Sequence, residues 1–156
     1  MFRSLITECR RTIHEGFDFF SGEHDPATPD PTYPTKIASD TPEGRSSYEA
    51  LAHSRGVGTF AHTNTPMRWT SGMHFDAANR HQDAKYQHEK AAQAAFHKGD
   101  EEKAKLHQAF QEIHDSLGAR HANIGRKLKD EPSHPAASQP IKLTPHEEFH
   151  FSKFLD

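Results

Sequence analysis

Between His74 and Lys127 the apolar and polar positions repeat with a period of seven. HFDAANR from His74, HQDAKYQ from His81 and HEKAAQA from His88 each place histidine first and alanine fourth. A second run, HQAFQEI from His107, HDSLGAR from His114 and HANIGRK from His121, places histidine first and a large apolar residue, Phe110, Leu117 or Ile124, fourth. Positions one and four of a heptad lie on the same helical face and form the seam of a coiled coil. Between the runs, Gly99 suits the left-handed residue that ends a helix, and Asp100 with Glu101 and Glu102 suits an N-cap and first turn. So short a connection joins antiparallel neighbours. The pattern therefore predicts an antiparallel helical hairpin over about 73–98 and 100–128.

Two registers fit this hairpin. Centred on Gly99, His74 faces Ile124, Ala77 faces His121, His81 faces Leu117, Ala84 faces His114, His88 faces Phe110 and Ala91 faces His107. Size complementarity favours this register, because small alanines accommodate imidazoles that pack on apolar groups without polar partners of their own. Centred instead between His97 and Lys98, the helices bring His74 to His121, His81 to His114 and His88 to His107, a ladder of three pairs.

Flanking segments read differently. Phe2, Leu5, Ile6, Cys9, Ile13, Phe17 and Phe20 recur at helical spacing, which predicts an amphipathic helix over 1–20 that docks on the hairpin or touches a membrane surface. Over 21–72 prolines at 26, 29, 31, 34 and 42 predict an extended linker, in which PATP and PTYP have the form of polyproline ligands. A short helix near 46–54 interrupts it, and Phe60 and Trp69 are expected to plug the hairpin. Over 129–156 a second linker, DEPSHPAASQP, leads to TPHEEFHFSKFLD, where Thr144 as N-cap, Pro145 at the first helical position and Glu147 three residues after the cap predict a short terminal helix. Phe149, Phe151, Phe154 and Leu155 require that this helix pack on something. The fold class is all-α.

Composition narrows the function classes. With 33% hydrophobic residues in 156, the chain builds no large core, and all ten prolines lie outside the hairpin. A net charge of -3 gives no electrostatic footprint for nucleic acid at neutral pH, although 14 histidines would reverse the sign in acid. The single cysteine, Cys9, excludes an intramolecular disulfide and a multi-cysteine zinc site. No secretory h-region or spanning apolar run is present, which points to the cytoplasm, with organelle targeting and unconventional export left open.

Histidine pairs suggest two chemistries. His74, His81, His88, His107, His114 and His121 could hold Zn, Ni or Cu given a third ligand such as Asp83, Glu89 or Asp115, or could respond to pH. Separately, HEEFH has the H-E-x-x-H form, in which His146 and His150 would be metal ligands and Glu147 the general base of a metallopeptidase. The short terminal segment offers little fold to shape a substrate cleft around them. No nucleophile elbow or phosphate-cradling glycine loop stands out.

The heptads, the Gly-Asp turn and the second histidine-bearing helix, over residues 74–127, resemble small His- and Ala-rich helical-hairpin proteins of bacteria. That type brings no established activity. AFHKGDEEKAK, from Ala95 to Lys105, is also similar to the hairpin that often precedes Smr nuclease domains, but no nuclease domain follows. The leading expectation is a non-enzymatic helical interaction protein that binds a protein partner or itself. A metal-binding or pH-responsive protein is the second expectation, and a metallopeptidase the third.

Overall fold

The computed structural model describes residues 36–55 and 68–156. The expected N-terminal helix over 1–20, its membrane contact, Cys9, the two PxxP segments and Phe60 lie outside the described residues.

The described residues form four α-helices, α1 Pro42–Arg55, α2 Ser71–His97, α3 Glu101–Asp130 and α4 Pro145–Phe154, with a 3-10 turn at Pro135–Ser138 between the last two. No β-strand occurs among the described residues, only an isolated parallel bridge between Ile37 and Leu155. Helices α2 and α3 form the antiparallel hairpin. Its turn is built as the residues dictate. Gly99 has φ of 75°, a left-handed conformation that costs glycine little, and the Asp100 side chain accepts a hydrogen bond from the Lys103 amide. Thr70 caps α2 in the same way through the Met73 amide.

Helix α1 is longer than the sequence pattern suggests. Pro42 was expected to deny helix; instead it occupies the first helical turn, where its missing N–H would have no intrahelical acceptor. Thr41 caps this end, its hydroxyl accepting from the Gly44 amide at 3.1 Å. Gly44 is held against the preceding turn so tightly that a Cβ would lie 2.1 Å from the Ala38 carbonyl oxygen. Along α1, Ser47, Ala50, Leu51 and Ser54 are buried at the i, i+3, i+4, i+7 spacing of one helical face.

Two cores result, and α1 and α3 contribute to both. An apolar core joins Ile37, Leu51, Phe110, Ile113, Leu117 and Phe151, with Leu106, Ile141, Leu143, Phe154 and Leu155 at its rim. A polar core fills the space where α1 meets the hairpin, and the heptad histidines supply it. The fully buried Ala77 and Ala84 keep the second side of α2 slim.

Helix α4 closes the apolar core. Its capping box is complete: the Thr144 hydroxyl accepts from the Glu147 amide, and the Glu147 carboxylate accepts from the Thr144 amide at 2.8 Å. Phe151 meets the Phe110 and His114 rings edge-on, each at 5.7 Å. The Ile37 amide donates to the Phe154 carbonyl and the Asp156 amide to the Ile37 carbonyl, which ties the chain end to the residues leading into α1. Phe151→Ala is expected to cost about 3 kcal/mol through lost burial and the cavity left behind, read as a lower urea midpoint at pH 7.5. A change below about 0.5 kcal/mol would mean that α4 does not hold this core.

Candidate functional site

The six heptad histidines are each no more than 1% exposed. Burying so many polar rings requires that their nitrogens be satisfied. Across the hairpin they meet in pairs, Nδ1 to Nδ1: His74 with His121 at 3.1 Å, His81 with His114 at 2.9 Å and His88 with His107 at 3.1 Å. The register is therefore the histidine ladder, and the size-complementary register centred on Gly99 is not adopted. Rings do not simply pack on apolar groups; they hydrogen-bond to one another.

The remaining nitrogens explain why this register wins. Ser47 Oγ lies 2.6 Å from His88 Nε2 and 2.7 Å from His114 Nε2. Ser54 Oγ lies 2.6 Å from His81 Nε2 and 2.9 Å from His121 Nε2. Each serine of α1 thus bridges two successive pairs. Together the contacts form one unbroken chain: His107, His88, Ser47, His114, His81, Ser54, His121, His74. Ring centroids along it follow at 5.3, 5.6, 5.2, 5.6 and 5.3 Å.

Neutral imidazole is the form that fits. It has one donor and one acceptor, so each Nδ1 pair shares one hydrogen, and each hydroxyl accepts from one ring and donates to another. Within this column only the two ends, His107 Nε2 and His74 Nε2, have no hydrogen-bond partner among the described residues. Trp69 covers the His74 end, its ring 5.5 Å from His74, 6.5 Å from His121 and 5.0 Å from His53.

Electrostatics agree with the hydrogen-bond pattern. Burial pushes every one of the six below the ordinary imidazole range, His81 to about 4 and His88 and His121 to about 3. Neighbouring charge adds to this: His107 opposes protonation of His88, Arg120 that of His81, and His81 that of His114 and His121. At His107, Glu43 and Asp100 pull the other way while Lys103 reinforces burial.

The metal candidates fall in two places. Each ladder pair offers two nitrogens, and Asp115 is engaged with Lys85 at 2.6 Å on the outside of the hairpin. Among the described residues no group of three or more histidine, cysteine or acidic side chains is placed to hold an ion. His146 and His150 do lie together on α4, rings 4.5 Å apart. Glu147 turns away from them: buried, it binds Arg120 with one oxygen and caps Thr144 with the other.

Ser47 and Ser54 were not recognised in the sequence as part of the site. They are seven apart, the same period as the histidines they bridge, and that match was the available signal. Comparison with protein-family models, with curated proteins and with solved structures finds no match for this chain.

Ser47→Ala leaves two buried ring nitrogens unpaired. The expected cost is about 2–4 kcal/mol, measured by urea denaturation at pH 7.5. Ser46→Ala on the same helix should stay within about 0.5 kcal/mol. Equal effects from the two substitutions would show that the hydroxyl bridge is not needed.

Proposed function

We propose that the protein is a non-enzymatic helical interaction module whose hairpin is acid-responsive. The observation that carries this reading is the continuous column of six buried, uncharged imidazoles. In the unfolded chain each imidazole titrates near 6.5; in the folded protein burial holds His81 at about 4 and His88 and His121 at about 3. Between those limits the unfolded chain binds more protons than the folded one. Stability is therefore complete above about pH 6.5 and falls as the pH drops toward 4.

The magnitude is large because the groups are many. Each histidine that stays neutral in the folded protein while it is protonated in the unfolded chain contributes about 1.4 kcal/mol per pH unit, so His81, His88 and His121 alone contribute up to about 4 kcal/mol per unit, and the lowered His74, His107 and His114 act in the same direction. A domain of ordinary net stability, about 5–15 kcal/mol, is exhausted within a few units. Hydrogen counting points the same way. The six neutral rings and two hydroxyls carry eight hydrogens, while the seven links, the two free terminal nitrogens and a Ser54 bond to the Ala50 carbonyl hold at most ten. A third added proton puts two hydrogens into one link. Adjacent imidazolium rings at these spacings would also repel by about 3 kcal/mol at an effective dielectric of about 20.

Interaction and acid response meet at α1, which carries both the bridging serines and one side of a cleft. Tyr48, 59% exposed, lines an open cleft of about 570 Å³ together with Leu51, Phe151 and Leu155 and with Arg55, Glu148 and Asp156. This mixture of apolar and charged groups suits a protein partner. Opening the histidine column dislodges α1, and with it the Tyr48 and Leu51 side of the cleft, so acid releases whatever is bound there.

Acid titration of the full chain tests this reading. Helix content at 222 nm and the emission of Trp69 should be lost together, with a midpoint near pH ~5, and the urea midpoint should fall continuously from pH 6.5 downward. A helix content and urea midpoint unchanged from pH 7.5 to 4 would sink it.

A further inference from the structure

The chain of contacts has a property that stability alone does not require: it has no gap. Seven successive hydrogen bonds link His107 Nδ1 to His74 Nδ1 through three imidazole pairs joined by two hydroxyls, all between 2.6 and 3.1 Å. From His74 to His88 the column runs fourteen residues along α2, a rise of about 21 Å. Both ends finish in a buried Nε2 without a partner among the described residues. Imidazole and hydroxyl can each accept a proton on one side and give one up on the other.

We propose that the column is a proton relay, which takes a proton at the Nε2 of one terminal histidine and releases one from the Nε2 of the other. The proton balance closes without a redox partner; solvent water and its ions are source and sink, reaching each buried terminal Nε2 when the side chains over it, Trp69 at the His74 end, swing aside. Take the column with every donor directed toward His74. A proton binds His107 Nε2, and His107 passes its Nδ1 hydrogen to His88 Nδ1. His88 gives its Nε2 hydrogen to Ser47, whose own hydrogen moves to His114 Nε2. His114 passes its Nδ1 hydrogen to His81 Nδ1, and the Nε2 hydrogen of His81 goes to Ser54. Ser54 gives its hydrogen to His121 Nε2, His121 passes its Nδ1 hydrogen to His74 Nδ1, and the Nε2 hydrogen of His74 leaves. One proton enters, one leaves, every ring is again neutral, and all donors now point toward His107.

The surroundings make the two ends unlike. His107 faces Glu43 of α1 and Asp100 and Lys103 at the hairpin turn. His74 lies under Trp69, next to His121, which itself senses His53 and Arg120. In the middle, His81 senses Arg120, Glu147 and His53, and His114 senses His81 and His88. Ser54 is the one hydroxyl with a rival acceptor, the Ala50 carbonyl at 3.1 Å. The relay is continuous when Ser54 turns its hydrogen to an imidazole and interrupted when it donates to Ala50, so α1 carries both the bridge and the gate.

This relay uses the same histidines as the acid-responsive reading but operates in the folded protein, so either can fail alone. Nitrogen NMR on the full chain with ¹⁵N-labelled histidine, at pH 7.5 where the fold is intact, tests it. The expected result is exchange of all six rings between two tautomeric states at one common rate, with the Nε2 atoms of His107 and His74 changing in opposite senses. Tautomers that are fixed, or pairs that exchange at unrelated rates, overturn the relay. In Ser47→Ala, His88 and His107 should lose the rate shared with the other four rings. A shared rate that survives in the folded variant also overturns it. Should Ser47→Ala fail to fold, the measurement on the native chain decides alone.

Discussion

Six imidazoles buried without charge can be tolerated only if their nitrogens find partners, and this hydrogen-bonding demand governs the rest of the fold. Two helices cannot meet it. The hairpin alone pairs the Nδ1 atoms and leaves the Nε2 atoms exposed or orphaned, so a third helix must deliver hydroxyls at the right height. Helix α1 does so because Ser47 and Ser54 stand two turns apart on its buried face and each reaches rings from both hairpin helices. The direction of α1 follows from this: Ser47 meets His88 and Ser54 meets His81, so α1 runs antiparallel to α2.

Helix α3 serves as a wall between two kinds of interior. One face carries His107, His114 and His121 into the polar column, and Phe110, Ile113 and Leu117 join the apolar core closed by α4. The two interiors touch where Phe151 packs on His114. Directional hydrogen bonds specify the register of the column, and apolar burial supplies the cohesion that the column lacks. The Arg120 and Glu147 pair joins α3 to the capping box of α4, close enough to the middle of the column for His81 to sense both charges.

Much of this architecture was legible in the residues. The period of seven gives the hairpin, the Gly99 and Asp100 pair gives its turn, and Thr144, Pro145 and Glu147 give the cap of α4. These are local features, set by neighbours along the chain. The register was not legible from the hairpin alone. Size complementarity between two helices favours the pairing of alanine with histidine, and the choice is reversed by groups on a third helix, embedded in a stretch whose prolines suggest linker. Pro42 was misleading for a related reason, since it breaks a helix in its interior but starts one at the first turn. Glu147 shows the opposite hazard: the H-E-x-x-H spelling suggests catalysis, whereas its two carboxylate oxygens are occupied by a cap and an arginine.

The shared seven-residue period has a consequence for how such a molecule can change in length. A single inserted residue in α1, α2 or α3 rotates everything beyond it by about 100° and moves one set of rings or hydroxyls out of line with the other two. Only a unit of seven, added to all three helices together, restores alignment, and it adds one imidazole pair with its bridging serine. The column is in this sense a crystal in one dimension, whose length is quantised in steps of about 10 Å and whose smallest permissible edit spans three separate stretches of the chain.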